Sequence, residues 1–525
     1  MSVAGAGGGS RRPVKGGAVP EVDEHEMRAR VDRILNRRPA VGLAVGVARN
    51  GSLDFFHAHG VADIASHTAI TEDTVFRVAS ITKTFTAIAV MQLWEQGLVD
   101  LDAPATDYLR AYRLIPAKPS FRPATLRHLL THTAGLGEVA HASGVFQPPE
   151  FGESVKLGRP VPSLAEYYRR GLRIVAEPGT RFIYNNHGPA TVGQIVEDVS
   201  GQPLDRYLRE NVFDPLGMAN TDLVRSERVQ SRLATGYTLR SSGPKAVTDF
   251  EMITAGAGAA YSTPADMARY VAALLGGGAN QHGSVLKPAT LATMFEPQYQ
   301  PDPRIPGIGL AFFRVNAGGH RVVEHQGILS GFTSQIFVAP DDGVGVLAFT
   351  NGARGGMFWL PTETGSLLNH LIGVPDDAIR TDVPQHPEIW GDLCGWYQVA
   401  ARLTDARARG MMGAGLEVLV RGGRLWIRFL TPVPVLYRGF PLYPDDDKDP
   451  YVFRADLSQF GWGTLRVVFS REPGTGTTAA YLEVFPMTVR KQPATTNPRL
   501  WFAGALAAAT AAVALRDRAR RQRTS

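Results

Sequence analysis

The chain has 525 residues, 44% hydrophobic and 20% charged, which is ordinary for a soluble globular protein and enough apolar material for two or three domains. The formal net charge is +6, but Arg11, Arg12 and Lys15 carry three charges near the start and the five arginines from 516 on, less Asp517, carry four near the end; the body between is left at about −1 and shows no basic, aromatic-interleaved stripe, so a nucleic-acid surface is excluded. Cys394 is the only cysteine, which excludes an intrachain disulfide and a multi-cysteine metal site.

Residues 1–20 are rich in glycine and basic residues and lack the apolar run of a secretory signal; they read as a disordered tail. Residues 21–37 have a charged helical pattern. An apolar, Gly-interrupted run at 41–47 predicts a buried strand, paired across Arg49-Asn50-Gly51 with a second strand at 52–59. A strongly apolar helix is predicted at 81–96, stopped by Gly97. Another helix begins at 125–130, and more are predicted at 164–175, 190–199 and 265–275. Residues 309–315, 321–325, 333–339 and 344–350 alternate like antiparallel strands. Strands at both ends with helices between predict a split α+β domain in which early and late strands share one sheet.

Pro- and Asp-rich composition around 373–387 marks a linker, placed at 376–388. Beyond it, strand-like runs at 416–420, 425–429, 451–455, 465–469 and 481–485 alternate with turn signals, which predicts a small all-β barrel. The domains are therefore expected at 21–375 and 389–492, with an apolar Ala-rich helix and an Arg-rich end at 493–525. The apolar run 500–515 would reach roughly 24 Å as a helix, short of a hydrocarbon core of about 30 Å. A marginal anchor, an interfacial helix and a docked or free helix compete for it. The expected location is cytoplasmic, with membrane contact through 500–523 left open.

Three short patterns carry candidate chemistry. In Ser80-Ile81-Thr82-Lys83, positions i and i+3 share one helix face, so the lysine amine meets the serine oxygen. At the helix start, the Ser80 N–H is an unpaired donor suited to an oxyanion. Burial of Lys83 in an apolar helix would lower its pKa and let the amine act as a base. In Tyr184-Asn185-Asn186, an extended backbone projects Tyr184 and Asn186 the same way. In His325-Gln326-Gly327, the glycine lets a substrate backbone approach a strand end, and the Ile328 amide is a second oxyanion donor. Each pattern alone is better explained by a capped helix, a core aromatic or a satisfied histidine.

In order, the three resemble the serine β-lactamase and penicillin-binding-protein family, most closely its class C-like branch of esterases and D-aminopeptidases. Further blocks extend the likeness over about residues 25–370: Phe76-Arg77-Val78-Ala79 before Ser80, Thr125-Leu126-Arg127-His128-Leu129-Leu130-Thr131-His132-Thr133-Ala134-Gly135-Leu136, Glu177-Pro178-Gly179, Asp214-Pro215-Leu216-Gly217-Met218 and Ser262-Thr263-Pro264-Ala265-Asp266-Met267. The resemblance implies a β-lactamase-like α+β fold and acyl transfer. Ser80 would be the nucleophile, Lys83 and Tyr184 would share the proton transfers, Asn186 and His325 would contact substrate or Lys83, and the Ser80 and Ile328 amides would form the oxyanion hole. No metal or organic cofactor is implied.

The sequence departs from the pattern at His325, where β-lactamases and transpeptidases usually carry lysine. A histidine is mostly neutral at pH 7, so small esters, amides or peptides are the expected substrates. A penicillin-recognising D,D-carboxypeptidase or β-lactamase is the alternative, and a non-catalytic scaffold the second. The segment Gly391-Asp392-Leu393-Cys394-Gly395-Trp396-Tyr397 resembles the opening strand of the lipocalin-like domain often appended to this branch. Such modules restrict substrates or make subunit contacts, which leaves oligomers open.

Overall fold

The computed structural model describes residues 22–138, 140, 153–375, 379–399, 413–431, 433–458, 463–471, 478–483 and 486–499. The expected tail at 1–20 and the apolar run at 500–523 lie outside them. Among the described residues no helix is long and apolar enough to cross a membrane.

The first domain is built on a seven-stranded antiparallel sheet. Its strands are β1 (Gly42–Arg49), β2 (Ser52–Asp63), β3 (Thr68–Ala69), β4 (Phe313–Ala317), β5 (His320–Leu329), β6 (Phe332–Ala339) and β7 (Val344–Thr350), in the order β4-β5-β6-β7-β1-β2-β3. Early and late strands meet where β1 pairs with β7, from Leu43 opposite Thr350 to Arg49 opposite Val344. Both faces of this central pair are covered, so every residue of β1 is buried and the run reads as continuously apolar.

On one face, Leu43, Val45, Val47, Val346 and Ala348 pack against α1 (Glu24–Arg37) and α5 (Gly356–Leu371) through Val31, Ile34, Leu360 and Leu367. On the other, Ala44, Ala48, Leu347 and Phe349 join a larger core with the helical region. Here α2 (Thr82–Glu95) packs on α3 (His187–Ser200), and α4 (Pro264–Leu275) lies on the sheet and reaches α2 through Tyr270, which touches Thr84 and Phe85. Residues of α2 are buried nearly all round, because helices and sheet enclose it.

The expected helix at 164–175 is corrected. A capping box between Ser163 and Glu166 starts a helix at Leu164–Tyr167, but Gly171 takes a φ of +81° and the chain becomes a strand, Leu172–Ile174, parallel to Leu114–Pro116. A Cβ at Gly171 would lie 2.3 Å from Ile115 Cδ1, so the turn needs glycine for both reasons. The expected strand at 309–315 starts later, at Phe313, after Ala311 adopts a φ of +62°. The expected strand at 321–325 extends through Leu329, which places His325 inside β5 rather than at its end.

The second domain is a closed barrel of eight antiparallel strands, each bonded to its sequence neighbours. They are β8 (Gly395–Val399), β9 (Leu416–Arg421), β10 (Arg424–Phe429), β11 (Phe440–Pro444), β12 (Val452–Asp456), β13 (Thr464–Arg471), β14 (Thr478–Leu482) and β15 (Thr488–Lys491), with β15 closing on β8. Strand β8 overlaps the segment 391–397 that resembles a lipocalin-like opening strand; β11 and β15 were not among the expected runs, and the run at 481–485 sits earlier, in β14. Alternate side chains, including Leu416, Val418, Leu425, Ile427 and Val467, fill the interior.

The barrel is fastened to the first domain beside the cleft. Ile305 packs among Val452, Val468, Ala479 and Tyr481. Next to it, Arg304 donates to Asp449 at 2.8 Å and to the Phe469 carbonyl at 3.0 Å. Met487 of the barrel packs on the cluster of Phe182, Ile308 and Phe313, which Tyr184 also touches.

Candidate active site

Ser80 lies in a single 3-10 turn, Ala79–Ile81, that runs directly into α2. Ala79 holds a φ of +50°, a left-handed conformation that costs a non-glycine residue about 1–3 kcal/mol. Two attachments hold this turn. Thr82 Oγ1 donates to the Ala79 carbonyl at 2.6 Å and accepts from the Ala260 amide at 3.0 Å. On the sheet side, Ser334 Oγ donates to the Val78 carbonyl at 2.8 Å. Ser80 is partly exposed, whereas Lys83, one turn later, is 1% exposed.

Lys83 is the hub. Its Nζ lies 2.9 Å from Ser80 Oγ, 2.9 Å from Asn186 Oδ1 and 2.7 Å from the Ala257 carbonyl oxygen. The last two atoms only accept hydrogen bonds. They engage two N–H groups of a tetrahedral amine and leave its third direction on Ser80. That direction carries an N–H when the group is an ammonium and a lone pair when it is neutral. The same geometry thus serves a base that takes the serine proton and an acid that returns it.

Tyr184 stands beside this hub, its ring centre 5.0 Å from Lys83 Nζ. The segment that carries it is clamped by the turn at Thr131-His132-Thr133. The Ile183 amide donates to the His132 carbonyl at 2.8 Å and the Gly179 amide to the Thr133 carbonyl at 2.8 Å. The His132 ring, on a residue with a φ of +58°, lies 4.5 Å from the Tyr184 ring, and its Nδ1 accepts from the Asn185 amide at 3.4 Å. The two asparagines divide the labour. Asn185 Oδ1 caps α3 by accepting from the Gly188 amide at 2.7 Å, which releases Asn186, at the same helix start, for Lys83.

His325, Gly327 and Ile328 line the strand edge opposite. Strand β4 covers β5 only from His320 to Glu324, so among the described residues the far half of β5 has no strand on that edge. Leu329 and Phe332 flank a two-residue hairpin turn, and the pairing continues as Gly327 with Ser334. A two-residue hairpin closes on a hydrogen-bonded pair and the pairs alternate, so the N–H of Ile328 turns outward to that edge.

Gly327 corrects the expected reason for its presence. A Cβ there would lie 2.1 Å from the Val78 carbonyl oxygen and 2.2 Å from Ser334 Oγ. The glycine lets β5 press against the nucleophile turn rather than making room for a substrate backbone.

His325 is 1% exposed. Its Nδ1 donates to the Gln326 carbonyl at 2.8 Å, and its Nε2 is buried with no hydrogen-bond partner. Burial, with Lys83 nearby, pushes its pKa down to about 3. His325 is therefore a neutral imidazole at any ordinary pH, with no cation to offer a carboxylate. Sequence reasoning missed Ala257 and Ser334, which act through a backbone carbonyl and a packing hydroxyl and leave no motif.

All the positions singled out in the sequence gather around Ser80 or on the facing edge of β5. The Beta-lactamase family pattern matches residues 27–363. The chain belongs to the beta-lactamase family. Among the proteins it is similar to are an esterase and penicillin-binding proteins. Esterase EstB of Burkholderia gladioli is 34% identical over 224 residues, covering 41% of this chain and 56% of the esterase, so the match spans little more than half of that relative. Penicillin-binding protein 4 of Amycolatopsis lactamdurans is 27% identical over 363 residues, covering 67% of this chain and 91% of that one. The octameric penicillin-binding protein homologue from Pyrococcus abyssi matches in fold at a TM-score of 0.57 and 22% identity, over 90% of this chain and 100% of that chain. Among the described residues, no group of histidine, cysteine and carboxylate side chains has the clustering of a metal centre.

Proposed function

We propose that this beta-lactamase family member hydrolyses small esters or amides through an acyl-enzyme on Ser80. The observation that carries the reading is the direction of the Lys83 amine, fixed on Ser80 Oγ by two pure acceptors. Ser80 Oγ attacks the substrate carbonyl carbon while its proton passes to Lys83. The developing oxyanion rests on the amides of Ser80 and Ile328. The leaving alcohol or amine takes its proton from Lys83 or Tyr184, and water then repeats the sequence to release the acid. Asn186 orients Lys83, and Gly327 sets the spacing of the oxyanion edge.

The neutral, buried His325 favours esters and amides over β-lactams, whose carboxylate wants a cation in that position. The class C-like likeness and the esterase among the relatives support the same choice. The closed up-and-down barrel is the architecture of a lipocalin-like module, and Met487 beside Tyr184's cluster supports a role in restricting substrate access. Assembly into oligomers, as in the octameric homologue, is part of the same proposal.

The test is a panel of p-nitrophenyl esters, D-amino-acid amides and nitrocefin, with Ser80→Ala as control. Ester or amide turnover that is lost in the control supports the proposal. Efficient nitrocefin hydrolysis with little esterase activity overturns the substrate preference, and equal rates for wild type and control overturn the mechanism.

A further inference from the structure

Lys83 takes its two fixed acceptors from different parts of the chain. Asn186 stands at the start of α3, and Ala257 lies in the short helix Ala255–Gly258. The direction of the amine depends on these two elements keeping their spacing. A buried carboxylate belonging to no motif connects them.

Glu153 is completely buried, and a polar group in that position must be held by neighbours. One carboxylate oxygen accepts from Thr254 Oγ1 at 2.9 Å. Thr254 is the N-cap residue of the helix that carries Ala257, and its carbonyl accepts from the Ala257 amide at 2.9 Å. The other oxygen lies 3.7 Å from His187 Nε2. His187 directly follows Asn186; its Nδ1 is hydrogen-bonded at 2.7 Å with the Tyr168 hydroxyl, and its Nε2 faces Glu153 across a polar contact longer than a hydrogen bond. The backbone of Glu153 adds a third tie, its carbonyl accepting from the Ile253 amide at 2.7 Å where the strand Ser154–Lys156 pairs with Phe250–Met252. The phenols of Tyr167 and Tyr168 also feel this carboxylate, and both are pushed above their ordinary range, by burial first and by its charge in addition.

We propose that Glu153 is a positioning residue for Lys83, clasping His187 and Thr254 so that Asn186 Oδ1 and the Ala257 carbonyl hold the amine on Ser80. The proposal rests on the hydrolase reading above. The carboxylate touches neither the nucleophile nor the substrate edge; it acts through its two neighbours. Loosening the clasp leaves substrate binding in place and misaligns the proton transfer, and a misplacement of about 1 Å costs about 10²-fold in rate.

The experiment compares Glu153→Ala, Glu153→Gln, Thr254→Val and Thr254→Ser on a p-nitrophenyl ester, with thermal unfolding measured in parallel and rates taken well below each midpoint. Glu153→Ala and Thr254→Val are expected to lower kcat by between about tenfold and 10²-fold with KM within about threefold of wild type. Thr254→Ser, which keeps the hydroxyl, is expected to restore most of kcat, and Glu153→Gln to fall between. Rates that drop only with the folded fraction overturn the proposal, as does failure of Thr254→Ser to exceed Thr254→Val. If wild type turns over no substrate, the hydrolase reading falls separately. A crystal structure of Glu153→Ala then decides the clasp: Lys83 Nζ displaced from Asn186 Oδ1 or the Ala257 carbonyl supports it, and both contacts intact refute it.

Discussion

Replacing Gly327 with alanine tests how closely the oxyanion edge and the nucleophile turn are set against each other. The added Cβ meets the Val78 carbonyl oxygen at 2.1 Å, and contacts below 3.0 Å essentially do not occur, so strand and turn must separate by about 0.9 Å. The clash is with backbone, and the Ser334 hydroxyl at 2.2 Å on the same side leaves no easy rotation away. Overpacking of this kind costs about 1–3 kcal/mol of stability. The larger effect is expected on catalysis, because the same movement displaces the Ile328 amide from the Ser80 oxyanion position. A shift near 1 Å predicts a loss of about 10²-fold in kcat/KM, equivalent to about 2.7 kcal/mol of transition-state stabilisation. Ester hydrolysis measured on folded Gly327→Ala at 25 °C, alongside its unfolding midpoint, checks this. A stable variant within about threefold of wild-type activity would refute the claim that this glycine sets the spacing.

The two adjacent asparagines should separate cleanly. Asn186→Ala removes one of the two acceptors that aim the Lys83 amine and should lower kcat/KM by about 10- to 100-fold, whereas Asn185→Ala removes the α3 cap and should cost mainly stability, about 1 kcal/mol, by denaturant unfolding. His325 titrates at about 3 when folded and near 6.5 when unfolded, so the unfolded chain takes the proton first and stability is lost as pH falls from about 6.5 toward 3; His325→Asn should flatten that slope in pH-dependent unfolding. Glu324 has the opposite sign. Burial raises its pKa from 4.5 to about 7, so the folded state holds the proton longer and stability is lost as pH rises through that window; Glu324→Gln should remove the loss. Arg304→Ala removes the bonds to Asp449 and the Phe469 carbonyl and should loosen the barrel, splitting a scanning-calorimetry trace into two transitions or lowering the first.

The elements easiest to read from sequence were those whose physics is local and periodic. The apolar run of β1, the helix after Ser80 and the Arg49-Asn50-Gly51 turn announce themselves through pattern and turn chemistry. The helix expected at 164–175 failed because its apolar spacing suited either structure. The deciding fact, Ile115 packed against Gly171, comes from a segment more than fifty residues away. The barrel was legible as a class, but β11 holds two prolines, which argue against a strand, and β15 is short with a single apolar residue. In the site, side chains with chemistry of their own were visible as residue types in order. The Ala257 carbonyl and the Ser334 hydroxyl were not, since any residue has a carbonyl and serine is common at surfaces. His325 was read as neutral from its ordinary pKa, and burial makes that much firmer.

The pairing of β1 with β7 also carries a consequence in time. Leu43 finds its partner Thr350 only after some three hundred further residues have been added, and contacts so distant in sequence form late. Ser80 is made early, yet Val78 is secured by Ser334, Lys83 is aimed by Ala257, and the facing amide belongs to Ile328. A nascent chain therefore carries the proposed nucleophile, Ser80, through most of synthesis without the residues proposed to arm it. On the proposed mechanism, reactivity arrives with the last strands of the sheet, so an incomplete product that ends before them is expected to be inert.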